Sequence, residues 1–446
     1  MKNFIQTLKN IWRIDDLRNR ILATLALVLV YRVGAHIVLP GIDPNQLAAL
    51  SEQTDKGIMS ILNMFSGGAF ANASIFALGI MPYITASIIV QLLGMAVPYF
   101  QKLQKEGESG RRKINRIIRI LTVGVLLVQA PSYLINLKYT AGGAIYSDDF
   151  WSFMVPSTII LTAGTMFIMW LGERITDKGI GNGISLLIMI GIIARFPFAL
   201  VAEFGKRVTT TAGGGLIALI VELVMLLLVF VVSILLVQGT RKIPVQYVKK
   251  IIGNKQYGGV RQYIPLKVNA AGVMPIIFAQ ALMFIPLMFT HFGTDTTSSI
   301  ATAFADYTGF WYNFVFALLV VVFTYFYTAI TFSPQQMADD MKKRGGFIPG
   351  VKPGKKTVEF LDDIMSRITL PGSIFLAIIA ILPVFAIKCG IDNSFAQFFG
   401  GTSLLIMVGV ILDTLQQIES HLLMRHYDGL MKSGRIKGRT GSTAAI

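Results

Sequence analysis

Three ionisable residues, Arg32, Glu222 and Asp413, stand inside or beside long apolar stretches of this 446-residue chain. Ionisable side chains paired deep in a membrane helix bundle are typical of proton- or sodium-coupled transport. Three are few for that chemistry. An alternative interpretation places Glu222 and Asp413 in the cytoplasmic third of their helices, each facing a neighbouring helix. The residue types leave ion-coupled transport open and do not favour it.

Other chemistry finds little support in the sequence. Cys389 is the single cysteine, so an internal disulfide is excluded, and the four histidines lack metal-ligand spacing. The stretch Gly354–Thr357 resembles the end of a phosphate-binding loop, but Pro349 stands where the first glycine is required. The glycines of Gly179–Gly183 lack dinucleotide-binding spacing and a preceding strand. We expect no enzymatic activity, no cofactor and no metal site.

The elements that carry these residues are predicted to be membrane helices. The chain is 54% hydrophobic and 14% charged, with a mean hydropathy of +0.63, which is too apolar for a soluble protein of this length. Helices are the expected spanning form because they satisfy every backbone N–H and C=O internally. Ten apolar stretches approach the roughly 20 residues that a span needs. They are 21–39, 75–97, 117–134, 153–171, 184–201, 216–237, 271–289, 310–332, 368–387 and 400–415.

The net charge of +16 is distributed unevenly. Most lysines and arginines fall in an amphipathic segment at 1–20, in the loops after spans 2, 4, 6 and 8, and in the tail 416–446. The positive-inside rule places these regions and both termini in the cytoplasm. The loops 240–267 and 333–367 are long and basic, so they are candidate docking surfaces. The positive-inside bias alone is the alternative explanation.

An internal repeat relates two halves, 21–201 and 216–415, which a predicted external hinge at 202–215 connects. The stretches Gly79–Ala86 and Gly272–Ala279 are identical at five of eight positions and lie in the second span of each half. Five spans per half make the halves inverted in topology, a pattern that indicates a pathway at the midplane. Proline and glycine suit these two spans for a gate. Chance similarity between two apolar helices is the alternative.

The predicted pathway is lined mainly by isoleucine, methionine and phenylalanine. Such a lining favours a hydrophobic constriction that excludes ions over a site that binds them. The apolar stretch 57–68, between spans 1 and 2, is too short to cross a membrane, so we expect a re-entrant segment. A loop helix packed on the surface is the alternative.

Several motifs together resemble the SecY family of bacterial protein-translocation channels over nearly the whole chain. The matching stretches are Asn63–Gly68, Gly79–Leu93, Lys105–Lys113, Trp170–Glu173, Gly179–Ser185, Leu266–Asn269 and Gly400–Ile406. The resemblance implies an all-α membrane protein of ten transmembrane helices in two inverted halves of five. These halves form a clamshell with a re-entrant plug between helices 1 and 2. A lateral gate is implied between spans 2 and 3 and spans 7 and 8.

The resemblance also implies the functional residues. The pore ring comprises Ile80, Ile84, Ile184, Ile188, Ile277 and Ile406. The plug, at about 57–70, includes Ile61, Leu62, Asn63, Met64, Phe65, Ser66, Gly67 and Gly68. The lateral gate includes Pro82, Ser87, Gln91 and Pro275. The residues implied to bind cytosolic partners are Arg241, Lys242, Lys249, Lys250, Arg261, Lys342, Lys343, Arg344 and Lys352.

The family pattern has an arginine where this chain has Lys352, which keeps the charge but lacks the planar fork of a guanidinium. The partners implied are SecE-like and SecG-like membrane subunits, a SecA-type motor ATPase, the ribosome through its RNA, signal peptides with nascent proteins, and the lipid bilayer. The implied location is the bacterial cytoplasmic membrane. A five-plus-five secondary transporter shares the inverted repeats but does not explain the long basic loops. A scaffold without a pathway does not explain the paired Gly/Pro helices.

Overall fold

The chain is built mainly from long helices. A computed structural model describes residues 12, 14–47, 50, 59–146, 150–209, 215–247, 250–252, 255–257, 261–280, 282–283 and 308–432. Within these ranges, seven helical stretches are long and apolar enough to cross a membrane, or eight if one sharply bent pair counts as a single span. The protein is therefore a multi-pass membrane protein.

The helices are numbered in chain order. They are α1 (Asp15–Gly34), α2 (Met59–Phe65), α3 (Met81–Ala96), α4 (Pro98–Lys105), α5 (Glu108–Ala141), α6 (Phe150–Lys178), α7 (Gly183–Thr209), α8 (Gly215–Gln238), α9 (274–280), α10 (Phe310–Thr331), α11 (Pro334–Lys343), α12 (Lys355–Lys388), α13 (Asn393–Ala396) and α14 (Gly401–Lys432). Short 3-10 turns lie at Pro44–Gln46, Gly142–Ala144 and Gln397–Phe399.

Each of the ten predicted spans coincides with a helix or with part of one. The first, α1, has 20 residues but carries Arg18, Arg20 and Arg32, which lower its hydropathy. The seventh, predicted at 271–289, extends beyond the described residues. The arrangement is consistent with ten spans, and the exact count stays a prediction.

Several helices are longer than their apolar stretches. α12 begins at Lys355, well before the predicted span at 368, and α14 continues to Lys432 through residues predicted as a tail. α7 continues to Thr209, so part of the predicted hinge 202–215 is helical. These extensions carry charged residues. A helix can continue into water beyond the hydrocarbon region, where charged side chains are solvated. Hydropathy marks the apolar part of a helix and misses its solvated ends.

The two copies of the internal repeat share a local structure that differs from the predicted one. Gly79 (φ 56°) and Gly272 (φ 65°) adopt left-handed backbone conformations that glycine tolerates. Pro82 and Pro275 then lie in the first turns of α3 and α9. The spans predicted to start at 75 and 271 therefore become helical only at Met81 and at 274. Proline suits a first helical turn because the N–H that it lacks has no partner within the helix.

The core divides along the two halves. One cluster, around Leu39, Leu134 and Leu161, belongs to the first half, and another, around Val320 and Leu404, belongs to the second. A third cluster contains residues of both halves and includes the plug and the predicted pore ring. The interface between the halves therefore lies in a continuous apolar core.

The two predicted docking loops join in one small β-sheet. Strands β1 (Thr240–Tyr247) and β4 (Arg261–Lys267) pair antiparallel, with Ile243 opposite Ile264. A third strand, β5 (Gly346–Phe347), comes from the other loop and pairs with β1, so the order is β4-β1-β5. The strands β2 (Lys250–Ile252) and β3 (Lys255–Tyr257) form a separate hairpin. The predicted all-α class holds for the membrane part, while these loops contain strands.

An apolar core supports the sheet β4-β1-β5, which we call the cytosolic sheet after its predicted side of the membrane. Ile243, Val245 and Leu266 are buried on the sheet and pack with Met341 of α11 and Leu361 of α12. β1 alternates buried and exposed residues at this point, as expected for a sheet with one solvated face. The described parts of the loops 240–267 and 333–367 therefore meet in a single unit at the end of α8 and the start of α12.

Candidate functional site

The six predicted pore-ring isoleucines lie in one hydrophobic cluster. Its members come from the segment before α3, from α3, α7, α9 and α14, and thus from both halves. Ile80, Ile188 and Ile406 are buried, while Ile84, Ile184 and Ile277 are partly buried and pack against the same cluster. We call these six residues the collar. Their β-branched side chains carry no polar atoms, so the collar is apolar.

The predicted plug is a short helix followed by a compact turn. Residues 57–58 lie outside the described residues, and Ile61 lies in α2. Asn63 accepts a hydrogen bond from the Ala71 N–H at 3.1 Å, while the Ser66 hydroxyl donates to the Asn63 carbonyl at 3.1 Å. That hydroxyl also accepts from the Phe70 N–H at 3.0 Å. These buried side chains form hydrogen bonds with backbone groups of the turn that have no partner in a helix.

The first half holds the plug through one cation and a close backbone approach. Arg32 of α1 donates to the Gly67 carbonyl at 2.8 Å. Gly191 of α7 packs so closely that an added Cβ would lie 2.8 Å from the Phe65 carbonyl oxygen. Gly67 itself has φ 67°, a left-handed conformation. The glycine pair at the end of the plug is thus explained by backbone geometry and close packing.

The second half also touches the plug. The Ser403 hydroxyl of α14 contacts the Met64 sulfur at 2.8 Å, and the Gln397 amide donates to the Ser60 hydroxyl. All four residues are buried. Sequence reasoning missed Gln397, Ser403 and Gly191, because nothing in the local pattern shows that residues more than 100 positions apart meet. Polar residues beside the apolar span 10 were the available signal.

Two of the four predicted gate residues line a cavity between the halves, here called the gate seam. Gln91 of α3 and Pro275 of α9 line one cavity of about 210 Å³, with Phe278, Tyr327 and Thr331 on the second-half side. Ser87 accepts a hydrogen bond from Gln91 at 3.2 Å and therefore positions it. Pro82 is buried in the first turn of α3. The seam is less tightly filled than the collar and carries amide and hydroxyl groups.

The predicted docking residues are mostly solvent-exposed. The side chains described as exposed are Arg241, Lys242, Lys342, Lys343, Arg344 and Lys352. Lys250 and Arg261 lie in β2 and β4, and Lys249 lies outside the described residues. The exposed cations stand on the sheet and on α11 with the loop that follows it, so the structure brings both predicted loops to one basic surface.

The three ionisable residues do not form a common site. Arg32 binds the plug backbone, Glu222 forms an ion pair with Arg207, and Asp413 is exposed. Glu222 faces a neighbouring helix and lies near the start of α8, which the predicted topology places on the external side and not in the cytoplasmic third. The same alternative interpretation placed Asp413 against a neighbouring helix. In the structure Asp413 is exposed on α14. This arrangement does not resemble the paired carriers of ion-coupled transport.

The glycine-rich turn 179–183 allows close packing between α6, α7 and α14. Gly181 (φ 82°) donates its N–H to the Gln417 side chain of α14 at 2.8 Å. A Cβ on Gly183 would lie 2.0 Å from the Gly172 carbonyl oxygen. Asn182 accepts from the N–H groups of Ile184 and Ser185, so it caps the start of α7. The glycines permit a tight α6–α7 connection that touches both halves.

Similarity to known proteins covers the whole site. Two relatives named protein translocase subunit SecY match at full length. The one from Mycobacterium bovis is 42% identical over 96% of this chain and 99% of its own length. The one from Streptomyces scabiei is 43% identical over 94% and 98%.

Solved structures share the fold at lower identity. A structure described as a protein conducting channel aligns with a TM-score of 0.60 at 16% identity, covering 96% of this chain and 95% of its own. Canine Sec61, in a ribosome-channel complex from the endoplasmic reticulum, aligns with a TM-score of 0.56 at 17% identity and the same coverage. The SecY family model matches residues 74–415, which contain the collar, the gate seam and the cytosolic sheet. The chain belongs to the SecY family.

Proposed function

We propose that this protein is the pore-forming subunit of a protein translocase. It conducts unfolded polypeptides across the membrane and releases apolar segments sideways into lipid. The observation that carries the proposal is the collar, in which six isoleucines from two halves meet beside a buried plug. The translocase names of the relatives from Mycobacterium and Streptomyces support it.

The collar suits a pathway for many different chains. Aliphatic side chains make no directional contacts, so an extended polypeptide of any sequence slides past them. Their rotamers adjust around the chain and exclude water, which limits the leak of ions. In the resting state the described part of the plug, 59–70, packs in the same apolar cluster as the collar and fills the space where a polypeptide would pass.

The gate seam suits the sorting of segments. Gln91 and Pro275 stand on opposite sides of a cavity between the halves, and separation of the halves there opens the pore toward lipid. A sufficiently apolar segment gains free energy by moving into hydrocarbon, whereas a charged segment does not. We propose that Pro82, Ser87, Gln91 and Pro275 belong to this lateral gate.

The cytosolic sheet suits a partner that supplies the chain and the energy. Its exposed cations include Arg241, Lys342 and Lys352, and a ribosome that bound them through RNA would bind less tightly as salt increases. A SecA-type motor ATPase is the other partner of this surface. The channel itself acts as a conduit and not as an enzyme.

We further propose SecE-like and SecG-like small subunits as the membrane partners. The proposed location is the bacterial cytoplasmic membrane, with both termini in the cytoplasm. The excess of lysine and arginine in the cytosolic segments supports this orientation.

The test uses vesicles that contain the chain with its small subunits and motor. A secretory precursor becomes protected from external protease, and a precursor with a 20-residue apolar segment becomes membrane-integrated. In a Cys389→Ser background, Gln91→Cys and Thr331→Cys joined by a bifunctional thiol reagent abolish both outcomes, because the gate cannot open. Each single-cysteine variant treated with the same reagent is the matched control. Protection that persists in the cross-linked channel contradicts the gate, and absence of protection in the unmodified protein contradicts the function.

A further inference from the structure

A buried cluster of three charged side chains lies at the external end of α7. Arg207 donates to Glu203 at 2.7 Å and also pairs with Glu222 of α8. The side chains of Arg207, Glu203 and Glu222 are 11%, 0% and 9% exposed. Charges removed from water to this extent are stable only when they are paired and hydrogen-bonded. We call these three residues the external ion cluster.

The cluster fastens a backbone segment of the second half to α7 of the first. The second oxygen of Glu203 accepts the Asp392 N–H at 2.7 Å, and the Gly390 carbonyl accepts from Lys206 at 2.9 Å. Arg207 donates to the same carbonyl at 3.4 Å. Residues 390–400, here called the external strap, thus begin at a point fixed to the first half.

Aromatic packing continues this attachment along the strap. Phe395 and Phe398 are at most 1% exposed. Phe196 of α7 packs against both rings, with centroid distances of 6.3 Å and 5.1 Å. The strap therefore crosses the external part of α7, packs its phenylalanines against Phe196 and continues toward the plug.

The far end of the strap reaches the plug through polar contacts. Gln397 donates to Ser60, and Ser403, just beyond the strap in α14, contacts Met64 at 2.8 Å. A cavity of about 190 Å³, lined by residues of the plug, α7 and the strap, lies beside these contacts. Met64 and Phe65 of the plug also belong to the apolar cluster that contains Phe398. Gln397 and Ser403 add polar contacts of the second half to that packing, beside a space that packing leaves unfilled.

We propose that the external strap is the clamp by which the second half holds the plug, with Gln397 and Ser403 as positioning residues and the external ion cluster as the anchor. This inference rests on the proposed channel function. When the halves separate, residues 390–392 stay at the anchor while Gln397 and Ser403 move with α14. The plug then loses its contacts to the second half and keeps those to Arg32 and Gly191.

The experiment measures the exposure of the plug directly. A single cysteine, Leu62→Cys, is introduced into the full chain with Cys389→Ser and reconstituted with its small subunits. The rate of its reaction with a membrane-impermeant thiol reagent added on the external side is recorded without precursor. Gln397→Leu and Ser403→Ala are each expected to raise this rate about tenfold, together with the ion leak, because each removes a contact that holds the closed plug. Gln416→Leu, an exposed position on α14, is the matched control.

Two further variants separate clamping from folding. Ser403→Thr keeps the hydroxyl and is expected to restore the slow labelling rate, which a purely volume-dependent effect would not do. Glu203→Gln removes the charge of the anchor but keeps an acceptor for the Asp392 N–H, and a smaller rise in labelling is expected. The clamp is contradicted if Gln397→Leu and Ser403→Ala both show the same labelling rate and the same ion leak as Gln416→Leu. Precursor transport in the same vesicles distinguishes the two proposals, since its absence from the unmodified protein contradicts the channel function itself.

Discussion

The two ends of α7 contact the second half in different ways. At the external end, Glu203 and Arg207 form buried charged contacts with α8 and with the strap. At the opposite end, which is predicted to be cytosolic, a neutral hydrogen bond of 2.8 Å joins the N–H of Gly181, just before α7, to the Gln417 side chain. Charged hydrogen bonds contribute about 1.5–3 kcal/mol each, and neutral ones about 0.5–1.5 kcal/mol. The charged contact of Glu203 and Arg207 suits a fixed point about which the halves rotate, and we call it the pivot. The neutral contact between Gly181 and Gln417 suits a contact that breaks when the halves separate, and we call it the latch.

Between these ends, the same helix carries the elements of the seal. Ile184 and Ile188 belong to the collar, and Gly191 lies against the plug. A small rotation about the external end moves each of these residues by an amount that grows toward the cytosolic side. The comparison therefore explains how one rigid helix can keep its attachment to the other half while the collar widens.

The largest effect is expected when the pivot is broken. Arg207→Leu leaves two buried carboxylates without their cation, which destabilises the fold by about 3–5 kcal/mol. The measurement is the midpoint of thermal unfolding in detergent. The triple replacement Glu203→Gln, Arg207→Leu, Glu222→Leu is the control, because it removes the uncompensated charges and is expected to recover most of the loss. An unchanged midpoint in Arg207→Leu contradicts the pivot.

An intermediate effect is expected at the middle of α7. In Gly191→Ala the new Cβ would lie 2.8 Å from the Phe65 carbonyl oxygen, so the plug backbone must shift. We expect ion leak in the absence of precursor, with a loss of stability of about 1–3 kcal/mol from overpacking. Gly124→Ala is the matched control, since its Cβ meets nothing within 4 Å. A leak equal in both variants would show that the plug does not depend on this close approach.

The smallest effect on stability is expected at the latch. Gln417→Leu removes the acceptor of the Gly181 N–H and costs about 1 kcal/mol, because the lost hydrogen bond is neutral and only partly buried. The unfolding midpoint stays near that of the unmodified protein, while thiol labelling of Ile184→Cys in a Cys389→Ser background becomes faster. Gln416→Leu is again the control. Labelling that stays at the control rate removes the distinction between the two ends of the helix.

The sequence predicted the membrane helices and the repeat because hydropathy and Gly/Pro spacing are local properties. It did not predict that Pro82 and Pro275 begin helices, since hydropathy gives no helix start inside an apolar run. It also missed that β1 and β5, from separate loops, share a sheet. Strand pairing over about 100 residues depends on the tertiary arrangement and leaves no periodic signal.

The candidate site was predictable to different degrees. The collar isoleucines were named only by the family resemblance, because an isoleucine in a membrane helix is ordinarily a packing residue. Glu203 and Arg207 have the spacing of an i,i+4 ion pair, a readable signal, but nothing local connects them to Glu222 or to the Asp392 backbone. The contacts of Gln397 and Ser403 arise from the fold alone.

The most direct test of the central claim is to trap one precursor against both halves of the collar. Single cysteines, Ile188→Cys in the first half and Ile277→Cys in the second, are introduced separately into a Cys389→Ser background. A stalled precursor with one reactive residue is expected to form an adduct with each. Leu228→Cys, exposed on α8, is the control and is expected to form none. Adducts at one half only, or equally at Leu228→Cys, would contradict a pore enclosed by the two halves.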